Sequence, residues 1–355
     1  MAERKHKFAY NWRLLDGYPA PGVKNHRSTV FGTFVCGGGS TMGYKLAGYR
    51  HLGGVEIDPK IAAVYRYNND PELMYVEDLR KFNGRGDLPD ALYDLDVLDG
   101  SPPCTSFSMT GLREKGWGKR KQFREGQVRQ VIDDLVFVYC DTIAKLKPRV
   151  CLLENVAGIV KGNARAYCRG ILSRLAEAGY RVQVFVLNSA RMGVPQHRQR
   201  TFFIGLRNDL AALPKLSIDV DEEPIKFADV IDDTDQRIGI TGSDYDIWAK
   251  RKPCDVGFNT VLMRTEKRDA RFNWKLVRRD RVCPTLCADD LNFTYDYPRR
   301  LNGTELSLVS SFPLDYQCTR KELTFVTGMC VPPVMMAHIA DAIYNQWLRL
   351  IKEND

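Results

Sequence analysis

The sequence has no Cys-X-X-Cys pair, and its five histidines form no His-X3-His pattern. Neither of the common zinc spacings is therefore available, and no metal is expected. No run approaches the roughly 18 uncharged apolar residues that a bilayer-spanning helix needs. The amino-terminal stretch MAERKHKFAYNWR lacks the apolar core of a secretory signal. A cytoplasmic protein with no membrane partner is the expectation, its ten cysteines free thiols in a reducing compartment. Neither GxGxxG nor GxxxxGK[ST] occurs, which argues against an ordinary dinucleotide site and against a nucleoside triphosphate.

What is present is a chain of 355 residues, long enough for two domains, with a net charge of +8. The charge is concentrated in two runs. Between Gly111 and Val131 seven basic residues (Arg113, Lys115, Lys119, Arg120, Lys121, Arg124, Arg129) face Glu114 and Glu125. Between Arg264 and Arg281 eight basic residues face three acidic ones, with Phe272 and Trp274 interleaved. Cations alternating with aromatics suit a phosphate backbone and unstacked bases; a merely solvated face is the alternative for either run alone.

The amino-terminal half alternates strands and helices, which predicts a doubly wound, mostly parallel sheet. Strand Thr29–Val35 runs into the glycine turn Gly37–Gly39, then a helix from Ser40 to Ala47 and a strand ending at Glu56. Asp58 and Pro59 read as the cap and first residue of the next helix. Such a turn lets a ligand approach the backbone, and an acid about 20 residues further on can take ribose hydroxyls. Glu56, 17 residues past Gly39, fits that place and points to a nucleoside-containing cofactor. Val76–Leu79 reads as the end of a third strand, where Asp78 could accept from an adenine amino group.

The stretch DVLDGSPPCTSFSMTG, Asp96–Gly111, organises the rest. An apolar strand from Leu92 to Leu98 is cut off by Gly100, Ser101 and two prolines, and Cys104 follows at once. A thiol on a stiffened loop leaving a strand's carboxyl end is a candidate nucleophile; a buried structural cysteine is the alternative. A helix is expected over Val131–Leu146 and a strand over Val150–Leu153. Glu154 at that strand's end is a candidate general acid, because burial favours a protonated carboxyl. A further helix (Tyr167–Ala178) and strand (Arg181–Leu187) lead to QHRQR and the strand Thr201–Leu206. Arg198 and Arg200 alternate and should share one face of an extended segment. Residues 207–325 show no β/α alternation and read as a second, smaller domain. From Val331 an amphipathic helix is expected to return to the first.

Together these pieces resemble the cytosine-5 DNA methyltransferase family, over most of the chain and in the family's order. FVCGGG resembles the cofactor turn, SPPC the nucleophile loop, ENV the acid and QHRQR the QxRxR motif. RVCPTLCA and GMCVPP resemble the two motifs that follow. The resemblance implies a Rossmann-like methyltransferase domain over residues 29–206 plus 326–355, a target-recognition domain over 207–325 and an amino-terminal extension over 1–28. It implies methyl transfer to C5 of a flipped cytosine in double-stranded DNA by a monomer, through a Cys104–C6 adduct, with Glu154, Arg198 and Arg200 also catalytic. It further implies S-adenosylmethionine as cofactor, bound by Phe34, Cys36, Gly37, Gly38, Gly39, Glu56, Ile57, Asp78, Leu79, Pro103, Leu135, Met329 and Val331. A bacterial or phage origin, association with the nucleoid and a restriction-modification setting would follow. Some relatives methylate tRNA cytosines, and that substrate is the runner-up. Three departures stand out: Cys36 replaces the first glycine of FxGxGG, His197 replaces a common lysine, and Met329 replaces the asparagine of the GN pair.

Overall fold

The computed structural model describes residues 6–19, 24–25, 28–103, 120–121, 130–131, 134–161, 164–237 and 239–354. The chain forms two compact units. The larger contains Tyr18–Asn188, Gln199–Asp219 and Met336–Asp355; the other contains Met1–Gly17, Ser189–Arg198 and Val220–Met335.

In the larger unit the elements follow as β1 (Thr29–Thr33), α1 (Gly39–Leu46), β2 (Arg50–Val55), α2 (Pro59–Asn69), β3 (Leu73–Tyr75), α3 (Leu79–Asn83) and β4 (Val97–Gly100). A two-residue antiparallel pair, β5 (Arg120–Lys121) and β6 (Gln130–Val131), comes next. Then come α4 (Leu135–Leu146), β7 (Val150–Val156), α5 (Arg165–Glu177), β8 (Tyr180–Asn188) and β9 (Gln199–Arg207). The main sheet has seven strands in the order β3-β2-β1-β4-β7-β9-β8, and β9 runs antiparallel to the other six. Strand order reverses between β1 and β4, and the crevice outside the carboxyl ends at such a switch point is where open α/β sheets bind ligands.

The core of this unit is apolar and dense. Phe31, Leu98, Tyr139, Ile143, Leu153 and Phe203 are all buried in one cluster, and each such side chain contributes roughly 1.5–3 kcal/mol. The Tyr139 hydroxyl donates to the carbonyls of Leu98 at 2.8 Å and Leu152 at 2.7 Å, tying α4 to both β4 and β7. The Asp-Pro start of α2 is as expected: Asp58 accepts from the amides of Lys60 and Ile61, with Pro59 at the first position. Two boundaries differ. The third strand ends at Tyr75, because Asp78 is already the cap of α3. The strand before Cys104 starts at Val97, since Asp90–Leu92 coils into a short 3-10 turn.

The other unit carries α6 (Gly242–Ala249), α7 (Phe258–Glu266), the parallel pair β10 (Lys275–Val277) and β11 (Asn292–Thr294), α8 (Gly303–Ser310) and α9 (Arg320–Met329). Its core stacks Phe258 and Trp274 on Phe293, with ring centroids 4.6 and 5.2 Å away. The amino-terminal extension is divided: the part up to Gly17 belongs to this unit, and the chain from Tyr18 belongs to the larger one. Trp12 Nε1 donates to Ser311 O at 2.9 Å, and the Leu14 and Leu15 amides both donate to Asp315.

Helix α10 (Pro333–Ile343) carries the chain from Met335 of one unit to Met336 of the other, followed by α11 (Arg349–Asn354). Tyr49 donates to Ala340 O within the larger unit. The expected amphipathic pattern develops along the tail: Val334–Ala340 are buried, and from there Asp341, Asn345 and Arg349 are partly or fully exposed at helical spacing while Ile343, Trp347, Leu348 and Ile351 are buried. Arg320–Glu353 includes an 18-residue window of mean hydropathy 1.5, and 89% of it is buried inside the protein, as in a core helix.

Candidate active site

The first half of the site is the turn between β1 and α1. Gly38 has φ +82°, and a Cβ there would run into the Asn69 side chain, so only glycine serves. Phe34 (φ +57°) and Cys36 (φ +47°) also hold left-handed backbone, which costs an L-residue about 1–2 kcal/mol. What holds Cys36 there includes Glu56: its Oε2 accepts from the Cys36 amide at 3.0 Å, while Oε1 accepts from the Asp58 amide at 2.9 Å. Burial raises the Glu56 carboxyl above its ordinary range, and the amide donors of Asp58 and Cys36 oppose that rise.

Asp78 lies just past the adjacent strand β3. Its Oδ1 accepts from the Arg80 amide, and Arg80 bridges it to Asp134, the residue before α4. Leu79 and Leu135, which open α3 and α4, are both buried. The test for a nucleoside-bearing cofactor is the donor set. Two carboxylates stand at the ends of neighbouring parallel strands, each fixed by backbone amides and each keeping lone pairs for ribose and adenine donors. These residues fit such a group.

The second half lies at the ends of β4 and β7. Glu154 is buried near the carboxyl end of β7, and Arg200 Nε approaches its Oε1 at 2.9 Å. Register explains the contact: Glu154 opposes Phe202 and Val156 opposes Arg200 across the antiparallel pair β7·β9, which places the two side chains diagonally. Asn155 Nδ2 donates to Pro102 O at 3.2 Å, pinning the Ser101-Pro102-Pro103 exit of β4 to β7. Cys104, the next residue, lies outside the described residues, as does the basic run from Gly111 to Val131 apart from the backbone of β5 and β6. The nine described cysteines are free thiols. Burial pushes those of Cys140 and Cys318 up to about 12 and raises those of Cys151, Cys168 and Cys283, which makes them poor nucleophiles.

Arg198 does not join Arg200. It is 1% exposed in the other unit, and its guanidinium donates to the carbonyls of Leu286 (3.2 Å), Gly328 (2.9 Å) and Met329 (3.1 Å). Alternation fails as a guide because β9 begins only at Gln199. Met329 ends α9 with its side chain 38% exposed, and Val331 is buried nearby in sequence; both belong to the same unit as Arg198.

The run Arg264–Arg281 is also less available than its composition implies. Arg264, Arg268, Arg271, Arg278, Arg279 and Arg281 each face a carboxylate, from Asp255, Glu266, Asp244, Asp280, Asp233 and Asp280 respectively. Among the described residues no carboxylate partner is found for Lys267 or Lys275, and Phe272 remains half exposed. No group of three His, Cys, Asp or Glu side chains among the described residues could hold a metal ion.

One buried acid gives only a faint signal in the sequence. Asp99 is 3% exposed on β4 and receives a hydrogen bond from the Tyr44 hydroxyl at 3.4 Å. Its only signal in the sequence is a charge interrupting an apolar run.

The family model for C-5 cytosine-specific DNA methylase matches residues 29–345. The chain is 34% identical over 175 residues to Type II methyltransferase M.DdeI of Desulfomicrobium norvegicum, covering 48% of this chain and 39% of that protein. It is 29% identical over 332 residues to Type II methyltransferase M.NgoMIV of Neisseria gonorrhoeae, covering 90% and 96%. The chain thus spans less than half of the first relative and nearly all of the second. Among solved structures, a candidate DNA modification methyltransferase encoded within an E. coli prophage superposes with a TM-score of 0.62 at 19% identity, covering 90% and 99%.

Proposed function

The chain belongs to the C-5 cytosine-specific DNA methylase family, and from that membership we propose that it methylates C5 of a cytosine flipped out of double-stranded DNA. The observation that carries the reading is the buried Glu154–Arg200 pair, near the carboxyl end of the strand pinned to the Pro102–Pro103 exit. Cytosine C5 is a poor nucleophile while the ring is aromatic. Attack by the Cys104 thiolate on C6 forms an S–C6 bond and drives the electron pair toward N3, leaving C5 enamine-like. Glu154 gives its proton to N3 as that charge builds, and Arg200 fixes the orientation of the carboxyl. After methylation, loss of the C5 proton and elimination of the thiolate break the S–C6 bond and free the enzyme.

S-adenosylmethionine supplies the electrophilic methyl group when bound. In the larger unit Glu56 would hold its ribose and Asp78 its adenine, with Phe34, Ile57, Leu79, Pro103 and Leu135 around them and the backbone of Cys36–Gly39 beside the turn. The family resemblance implies Met329 and Val331 as further cofactor-binding residues, and Arg198 would position the carboxyl end of α9. The unit containing 220–335 would read the target sequence, with Lys267, Lys275 and Phe272 contacting the backbone and bases. The named relatives are Type II methyltransferases, which supports a restriction-modification setting; a cytoplasmic monomer acting on the nucleoid completes the proposal.

The test is a trap. Duplex DNA carrying 5-fluorocytosine at the target should form a denaturation-resistant adduct with the wild-type protein, because fluorine cannot leave as the C5 proton does. Cys104→Ser should form none and should lose turnover while retaining DNA binding. Bisulfite sequencing of DNA from expressing cells would locate the site. Methyl transfer to tRNA but not to duplex DNA, or an adduct mapping to another cysteine, overturns the reading.

A further inference from the structure

We propose that Asp99 is a positioning acid for this centre: it holds a proton beneath helix α1 and governs how readily Glu154 keeps its own. This deepens the function proposed above and rests on it.

The sheet register puts the two acids on one face. Asp99 of β4 opposes Leu152 of β7 in a parallel pair, and Glu154 follows two residues along the same strand. On that face Asp99 meets Ser40 and Tyr44, both on the helix that the glycine turn opens. Its backbone oxygen accepts from Thr33 Oγ1 of β1 at 3.2 Å. Among the described residues no cation pairs with Asp99, whereas Glu154 has Arg200. A buried carboxylate without a cation favours its protonated form. Burial first, and then the negative field of Glu154, raise the Asp99 carboxyl to about 7, while the hydrogen bonds from Ser40 and Tyr44 oppose the rise.

The remaining titratable groups around Asp99 keep their protons. Tyr44 on α1, Tyr65 on α2 and Tyr139 on α4 feel its charge, and burial raises all three hydroxyls. Asp99 is therefore the described group here that changes charge close to neutrality. A neutral Asp99 leaves the Glu154–Arg200 pair undisturbed. An ionised Asp99 sets a second negative charge on the face that Glu154 shares, so the charges of the two acids oppose each other and their protons are coupled. A role confined to capping α1 would give no such coupling.

The experiment combines infrared titration of buried carboxyl groups with single-turnover methylation of duplex DNA. In the wild type a protonated-carboxyl band should titrate near the value given above, and Asp99→Asn should lack it. Glu154→Gln should lower its midpoint by about one unit, since a like charge has been removed. Tyr44→Phe should raise it, since a hydrogen bond to the charged form is lost. The rate deficit of Asp99→Asn relative to wild type should grow by on the order of tenfold between pH 6 and pH 8.5. Rate profiles that differ by one constant factor overturn the proposal, as does a midpoint indifferent to Glu154→Gln. The infrared arm needs no methyl transfer, so a protein that titrates as described but methylates no DNA refutes the activity alone. If Asp99→Asn fails to fold, the opposite shifts of the other two variants still decide the coupling.

Discussion

Replacing Arg198 with methionine separates a structural guanidinium from a catalytic one. Methionine keeps most of the stem's volume and removes every donor. Three carbonyl oxygens then lose a partner at 2.9–3.2 Å, and two of them, on Gly328 and Met329, end α9 and have no intrahelical donor. Each buried carbonyl left unmatched costs about 1–3 kcal/mol. The negative end of the α9 dipole also loses its counter-charge. Gly328 sharpens the effect: a Cβ there would collide with the backbone of Cys287 and Ala288, so the segments held by Arg198 are packed too closely to rearrange. Relief from burying a cation offsets part of the sum, which leaves a net loss of about 3–5 kcal/mol. Against a typical total of about 5–15 kcal/mol this is large. Urea denaturation should show a lowered midpoint with an unchanged slope, and hydrogen exchange should show loosened amides in α9. Arg198→Lys should recover less than half, because one ammonium cannot reproduce a fork spread over three acceptors. A methionine variant that keeps its stability within about 0.5 kcal/mol yet loses turnover would refute the reasoning and return Arg198 to the reacting centre.

Three further outcomes follow from the same kind of accounting. Lys275, which faces Phe272 and has no carboxylate partner among the described residues, should contribute to the salt dependence of DNA binding; Lys275→Ala should flatten the log–log slope by about 1. Arg264→Ala should leave that slope unchanged and lower the denaturant midpoint, because the buried Asp255 loses its cation and keeps the Lys252 amide. Cys36→Gly should relieve a left-handed residue at the cofactor turn. Setting about 1–2 kcal/mol of strain against about 0.5–1 kcal/mol of glycine entropy gives a stability gain of about 0.5 kcal/mol, and a loss above 1 kcal/mol would show the side chain is needed there.

The sequence was most informative where one residue type answers a local backbone demand. Asp58-Pro59 marks a helix start because the side chain caps amides two and three residues on, and the structure has that cap. The glycine turn and Glu56 were legible for the same reason: the contacts from Glu56 to Cys36 and Asp58 close over short chain distances. The acid at the end of β7 was legible from an apolar run, but its partnership with Arg200 was not, since that depends on an antiparallel register nothing local encodes. Arg198 shows the limit most clearly. Its acceptors lie 88, 130 and 131 residues away, and a side chain's direction outside a strand is set by such partners rather than by alternation. The pairing within the run 264–281 is hidden in the sequence for a related reason. Charge counting sees eight cations, but folding supplies six of them with carboxylates, three of these from outside the run. Asp99 is the converse case. Composition hides it inside VLDG, where a single acid in a central parallel strand has to be neutral, paired or functional. The physical rule that excludes unpaired buried charge, applied to that strand before any fold was known, would have singled it out.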